Sequence, residues 1–372
     1  MQALTKTKLP KEVSKLFSVL RCEALSRIET FQSAHLFSLL SSYNNTGQLD
    51  NDMQKTISQV LLKRASAMDK SSQVLLQPIP SHLFSQTDPS QPFILKDFGD
   101  VCMVYKPPFM QVNVDGDLSL DRRAEPDSLD ELPESSLPSL KTWATTNLTS
   151  DPISRDKSHA HGILHRLDTL TSGPLLIARN FRGFFTLRIE FATGQIRKDY
   201  KALCHGAVPA PLTLSDRLKQ TTIYSEAGEA VATRTEVSPQ GKPALTQVNS
   251  VERYERNGKR YSLASMTLHT GRTHQIRAHL SNAGFPLVGD AKYNSSNILD
   301  DREIFLRTFL HCEKLGFSKG EVICPIPEDI SKPLSIHFLG VYREFVLISM
   351  DAPRASSYAL LSLPDIQWFE MQ

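Results

Sequence analysis

No run of 18 or more apolar residues occurs in the 372-residue chain, so a membrane-spanning helix is not expected and a membrane partner is not called for. Cysteine is scarce: Cys22, Cys102, Cys204, Cys312 and Cys324 are odd in number and far apart, unlike the close pairs of a disulfide framework or a zinc ribbon. They fit an intracellular, reducing compartment, with cytoplasm, mitochondrion and plastid left open. The start of the chain, MQALTKTKLPKEVSKLF, has lysines and hydroxyl residues but no arginine, no secretory apolar block and no small-residue cleavage pattern, so it reads as a poor signal peptide and a weak organelle presequence. Net charge is also nearly missing, at +2.

That balance conceals a division. Residues 115–134 hold eight acids against two arginines, and with their prolines and few aromatics they read as part of a disordered insertion over 115–138. Residues 155–279 hold 19 Lys/Arg against 10 Asp/Glu. A segment this basic suits a polyanionic partner, although a merely solvated basic face has the same composition.

Three regions follow from the hydrophobic periodicity. From Lys8 to about Met68, Val13, Leu16, Phe17 and Leu20, then Leu36, Leu39 and Leu40, then Met53, Ile57, Val60, Leu61 and Leu62 recur at helical steps. This all-helical region over 1–77 resembles one unit of an RNA-binding helical array, but it shows no repeat period, and a helical appendage packed on the main domain is the expected arrangement. Residues 78–92, rich in Pro, Ser and Gln, read as a linker. Beyond them a domain over 93–350 alternates strands (Val101–Tyr105, Pro174–Ala178, Tyr200–Leu203, Leu245–Val251, Tyr261–Leu268) with a helix through Phe181, Phe184, Phe185, Arg188 and Phe191. Residues 351–372 form a tail. The fold class is α+β, with a mixed, mainly antiparallel central sheet flanked by helices.

Three clusters in this domain carry chemistry. In HGILHRLDTLTSGPLLIAR (His161–Arg179), Asp168 precedes a Thr-Ser-Gly turn that leads into a strand, a place where hydroxyls and backbone N–H groups stay free. A lone Asp in a turn is usually a cap, so its neighbours must carry the case. In IRKDYKALCHG (Ile196–Gly206), Lys198, Tyr200 and Ala202 share a strand face; Tyr200 is either a core residue with a polar tip or a platform for a base. In LHTGRTHQIRAHLSNAGFPLVGDAKY (Leu268–Tyr293), a strand ends, turns at Gly271 and continues as a helix carrying Arg277. Arg272, Arg277, His269, His274 and His279 lie within eleven residues and would be costly to bury unless paired with carboxylate or phosphate.

Taken in order, HRLDTLTSG, the KxYxA pattern around Tyr200, GRTHQIRAHL followed by GDAKY, and LHCEKLGF (Leu310–Phe317) resemble the motifs of the RluA-type pseudouridine synthase family, from about Val101 to Phe317. The resemblance implies a pseudouridine synthase fold and the isomerisation of uridine to pseudouridine in structured RNA, ribosomal or transfer. It implies no cofactor and no metal, with RNA as the partner; the oligomeric state is open, a monomer being the expectation. By the same resemblance Asp168 is the catalytic carboxylate, Tyr200 stacks on the base and serves as a late proton acceptor, and Arg277 is the salt-bridge partner of Asp168. Leu310 and His311 lie on the strand that closes the pocket. Arg166, His165, Thr171, Ser172, Gly173, Lys198, Arg272, His274 and Lys106 are expected to line the bound RNA, Arg166 by filling the space vacated by an extruded uridine or by holding phosphate.

The chain departs from the family pattern in three places. Phe109 stands where glycine usually follows the early Lys-Pro motif, Ser318–Gly320 replace a His-Pro, and the small basic RNA-binding domain often found upstream is not visible in residues 1–95. Two other readings compete. His159, His161, His165 and Asp168 form HxHxxxHxxD, and on a strand the first two imidazoles would share a face as metal ligands do, giving a metal-dependent hydrolase. A catalytically silent RNA-binding protein of the same fold is the other.

Overall fold

The computed structural model describes residues 10–72, 76–84, 88–112, 137–224 and 230–344. The expected insertion at 115–138, except for its last two residues, and the expected tail at 351–372 lie outside the described residues.

The N-terminal periodicity resolves into helices α1 (Lys11–Ser26), α2 (Ser33–Thr46) and α3 (Asn51–Ser72). The turn-rich break between the last two supplies both their ends. Gly47 closes α2 in a left-handed conformation (φ 73°), with its N–H on the Asn44 carbonyl, and the Asp50 carboxylate caps α3 by accepting from Met53 N at 2.8 Å.

Strands β1 (Phe93–Asp97), β2 (Val101–Lys106) and β3 (Gly173–Ala178) form a three-stranded antiparallel sheet. Every residue of β2 and β3 is buried, and the side-chain period of two explains why neither strand alternates in polarity. Cys102, Val104, Leu175 and Ile177 point into the main core; Val101, Met103, Leu176 and Ala178 point the opposite way, into a second core. That second core is completed by Leu36, Phe37, Leu40, Met53, Ile57 and Leu61 of the N-terminal helices and by Phe184, Phe185 and Leu187 of α5 (Phe181–Ala192). The helical region therefore covers one face of the sheet. It shares a core across the boundary expected at residue 77, and the expected linker contributes Ile79 and Leu83 to the main core.

The larger sheet has seven strands. Its order is β11 (Gly320–Ile323), β10 (Leu310–Phe317), β4 (Arg197–His205), β9 (Lys259–Leu268), β8 (Thr246–Arg256) and β12 (Leu339–Glu344), with β5 (Leu212–Leu214) also on β8. The hairpin β6 (Leu218–Tyr224) and β7 (Ala230–Val237) stands apart. Every ladder between named strands is antiparallel; parallel pairing is confined to single bridges such as Ser172–His311, which joins the entry to β3 with β10 and so connects the two sheets. Helices α4 (Leu140–Asn147), α6 (Gln275–Asn282), α7 (Ile298–Arg302) and α8 (Glu328–His337) flank the sheets. The α+β class stands.

The join between α3 and α5 accounts for the free donors at the start of α5. Asp69 of α3 accepts from Phe181 N at 2.8 Å and Arg182 N at 3.0 Å, while Asn180 takes Gly183 N at 2.8 Å. Replacing Asp69 by alanine would strand two donors at a half-buried helix terminus, and Asp69→Ala is expected to lower the urea unfolding free energy by about 1–2 kcal/mol. An unchanged midpoint would mean that the helices are not coupled to the domain through this cap.

Candidate active site

Asp168 lies at the end of an irregular stretch, 164–168, followed by a turn in which Thr171 N donates to Asp168 O at 3.0 Å. Four anchors fix this loop. Leu167 is buried in the main core. His165 Nε2 accepts from Leu176 N at 2.9 Å, which sets the neutral tautomer with its proton on Nδ1. Loss of hydration, with the Lys198 charge added, drives the His165 pKa down to about 3. The fully buried Lys106 ammonium donates to the carbonyls of Pro107, Met110 and Thr169 at 2.8, 2.9 and 3.1 Å, and Arg307 Nη1 donates to Leu170 O at 3.0 Å. Two buried cations thus hold the backbone on either side of the turn.

After the turn, Ser172 O accepts from Cys312 N, and Gly173 (φ 139°) passes so close to β10 that an added Cβ would sit 2.5 Å from Cys312 O. Only glycine fits there. A buried chain of side chains runs alongside: Arg307 Nη2 donates to Ser172 Oγ at 3.0 Å, Ser172 Oγ lies 2.9 Å from His311 Nδ1, and His311 Nε2 donates to Cys324 O at 2.8 Å. Arg307 is itself paired with Asp329.

The charge centre of the site is Arg277 on α6. Its Nη1 lies 3.6 Å from Asp168 Oδ2, while Nε and Nη2 donate to the two oxygens of Asp290 at 2.8 and 2.9 Å. Asp290 is fully buried, and although burial opposes ionisation, the Arg277 charge and its hydrogen bonds, with Tyr293 N, hold the carboxyl below its ordinary range. The Arg277 guanidinium also lies 5.1 Å from the Tyr293 ring centroid. Tyr293 is tied in turn through its hydroxyl to Thr235 N and O on β7 and to His274 Nδ1. Asp168 keeps 17% of its side-chain surface open, against 7% for Arg277. Tyr200, on β4 opposite Cys312 and Met266, completes the wall. Burial first, then the Cys312 thiol and the Asp168 charge, raise the Tyr200 pKa well above its ordinary value, so the phenol is neutral in the resting site.

The remaining residues expected at the site divide into two groups. Arg166, Lys198 and Arg272 are each partly exposed; among the described residues none of the three enters an ion pair, and burial together with Arg272 pulls the Lys198 pKa down to about 8. The others are turned inward. Lys106, His165, Thr171, Ser172, Gly173, Leu310 and His311 brace the loop and β10, and His274 caps α6 with its ring on the Tyr293 hydroxyl. The HxH segment is a kinked 3-10 stretch, Lys157–Gly162, with His161 at φ 55°, not a strand with two imidazoles on one face. His159 Nδ1 meets Asp156, His161 Nδ1 meets Ser154 O and His165 meets Leu176 N, so the three rings serve separate contacts. The metal-ligand geometry expected of them does not form.

Asp290, Tyr293 and Arg307 were not singled out from the sequence. GDAKY was visible as a motif, but nothing local says that its aspartate reaches an arginine thirteen residues earlier. Arg307 did leave a signal: a lone cation inside the apolar run IFLRTFL (Ile304–Leu310).

Two outcomes follow from this packing. Removing the Asp290 carboxylate takes the bidentate partner away from a buried arginine charge, so Asp290→Ala is expected to cost about 3–5 kcal/mol in chemical denaturation; a loss under about 1 kcal/mol would show that water replaces the pair. His311 is pushed down to about 4, by burial first and by the Arg307 charge, against its contacts to the Cys324 and Ser172 backbone. A depressed histidine contributes stability that is complete above its unfolded pKa of about 6.5 and is lost as pH falls from there toward 4, at roughly 1.4 kcal/mol per pH unit. Unfolding measured at pH 6.5 and 5.0 should show that slope partly removed in His311→Asn, and identical slopes would assign the loss to other groups.

Known proteins resemble this chain over part of its length. The model of the family described as RNA pseudouridylate synthase matches residues 100–282. An uncharacterized RNA pseudouridine synthase of Bacillus subtilis is 33% identical over 184 residues, 46% of this chain and 54% of that protein. The ribosomal large subunit pseudouridine synthase C of Buchnera aphidicola is 35% identical over 159 residues, 42% of this chain and 48% of its own length. The chain thus spans about half the length of the curated relatives it matches. Among solved structures, human RNA pseudouridylate synthase domain containing 1 aligns at a TM-score of 0.47 and 22% identity, over 71% of this chain and 94% of that one. Over residues 100–282 the chain is thus similar to the RNA pseudouridylate synthase family, the family that its RluA-type motifs resemble.

Proposed function

We propose that the protein is an RNA pseudouridine synthase in which Asp168 is the catalytic carboxylate. The observation that carries the reading is the guanidinium of Arg277, anchored on buried Asp290 and presented to the partly open carboxylate of Asp168, with the Tyr200 phenol beside them. A guanidinium at this range gives the carboxylate a fixed direction.

Isomerisation breaks the N1–C1′ bond of uridine, turns the uracil and forms a C5–C1′ bond, after which C5 loses its proton and N1 gains one. Atoms and electrons balance within the nucleoside, so the reaction calls for no redox cofactor and no added group. An ionised Asp168 can attack C1′ or C6, or take the C2′ proton. Tyr200 offers a flat, neutral ring against the base and, near the end, a site for proton transfer. The uridine must first leave its stack, at a cost of a few kcal/mol in a paired helix and less in loops. Arg166, half-buried two residues before Asp168 and in no ion pair among the described residues, is our candidate to fill the gap or hold phosphate.

The relatives named for the ribosomal large subunit favour ribosomal RNA as the substrate, and the basic stretch 155–279 supplies charge for any such polyanion. A monomer acting inside the cell remains the expected form.

Tritium release from RNA labelled at uridine C5 reads the reaction directly. The wild-type protein should release tritium without added cofactor, and Asp168→Asn should bind the RNA as well but release none. Release by Asp168→Asn at the wild-type rate would remove Asp168 from the chemistry. Tight binding without release by the wild type would make the protein a silent RNA binder.

A further inference from the structure

A groove of about 220 Å³ opens between α2 and α5, outside the charge centre described above. Phe37, Ser41 and Ser42 line it from α2, Arg188 and Phe191 from α5, and Leu164 from the loop that carries Asp168. Its size is below the ~300–1,000 Å³ of pockets that enclose a drug-sized molecule, and suits one flat ring. The chemistry of the walls is mixed. The Arg188 guanidinium lies 4.2 Å from the Phe37 ring centroid, Phe191 is half-exposed, and two serine hydroxyls stand at the rim.

A chain of side-chain contacts links the groove to the candidate active site. Leu164 lies next to His165, whose ring packs on Phe191 at 5.1 Å between centroids. Lys198 Nζ lies 6.0 Å from the centroid of the same Phe191 ring, and Lys198 shares a strand face with Tyr200, two residues on. From the groove toward Asp168, therefore, the contacts pass through Phe191, Lys198 and Tyr200. Among the described residues, Lys198 enters no ion pair with a carboxylate.

We infer that the groove between α2 and α5 holds a nucleobase of the RNA strand that flanks the target uridine, with Phe191 and the Arg188 guanidinium as stacking surfaces and Lys198 as the contact to the connecting phosphate. Bases splayed from loops are bound on aromatic rings and guanidinium planes in this way, whatever their identity. An RNA strand whose uridine sits at Asp168 must leave the site in some direction, and this route supplies the positive charge of Lys198 and the aromatic surface of Phe191. The inference rests on the proposed function. It also gives the N-terminal helices, which lie outside the residues matched by the family model, a part in substrate binding.

Ser42 is exposed on α2 and Glu is a better helix former than Ser, so Ser42→Glu places a negative charge at the groove without disturbing the core. With C5-tritiated large-subunit ribosomal RNA as the probe and the full chain as enzyme, Ser42→Glu and Arg188→Gln are each expected to raise KM roughly tenfold with kcat unchanged, the loss of about one base contact. In parallel, Asp168→Asn should crosslink to 4-thiouridine-substituted RNA through peptides of α2 or α5, and the Ser42→Glu change should remove those crosslinks. An unchanged KM, a fall confined to kcat, or crosslinks that avoid both helices would overturn the inference. If the wild type released no tritium, the reaction reading would fail and the crosslinks alone would decide the groove.

Discussion

A single guanidinium shared by two carboxylates sets the terms for this site. Asp290 is out of water altogether, and the Arg277 charge is what makes its ionised form tolerable there. Because Nε and Nη2 are committed to that pair, Nη1 is left pointing in a fixed direction, toward Asp168. A flexible arginine could neutralise Asp168 equally well but could not hold it in place. The Tyr293 ring under the guanidinium, and its hydroxyl on β7, extend the constraint from α6 into the hairpin.

Asp168 must be held from its own side too, and the loop that carries it has no regular hydrogen bonding to rely on. Lys106 and Arg307 take over by donating to the carbonyls of Thr169 and Leu170, the two residues after Asp168. Each of these cations is nearly or fully buried, a placement that costs several kcal/mol of hydration unless every donor is used. The Lys106–Pro107 segment therefore matters as a frame that holds the turn. The packing likewise explains why β2 and β3 are apolar on both faces: one face backs the site, and the other needs the N-terminal helices to cover it.

Much of this was legible in the residues. The five strands placed by period-two patterning coincide with β2, β3, β4, β8 and β9, and the Phe-rich helix is α5. Asp168, Tyr200 and Arg277 were named from motifs and the fold does bring them together. What escaped were interactions whose partners are distant or whose local pattern is ambiguous. Lys106, His274 and His311 look like ligand-binding groups in sequence because polar residues in a motif carry no mark of which way they face; burial turns them into braces. The HxH pattern suggested a strand because alternation is shared by strands and by kinked turns, and only the left-handed backbone at Ala160 and His161 separates the two. The helical region read as an appendage because periodicity reveals an apolar stripe but not the surface it covers.

The account turns on Asp290 acting through Arg277 on Asp168, and single-turnover isomerisation by Asp290→Asn tests it most directly, since asparagine keeps the shape of the side chain and removes the charge that aims the guanidinium. Measured alongside RNA affinity and thermal stability, the rate constant should fall by at least about tenfold, the cost of roughly 1.4 kcal/mol in the barrier, while RNA affinity holds. A folded Asp290→Asn protein that isomerises uridine at the wild-type rate would contradict the claim that this buried carboxylate orients the catalytic one.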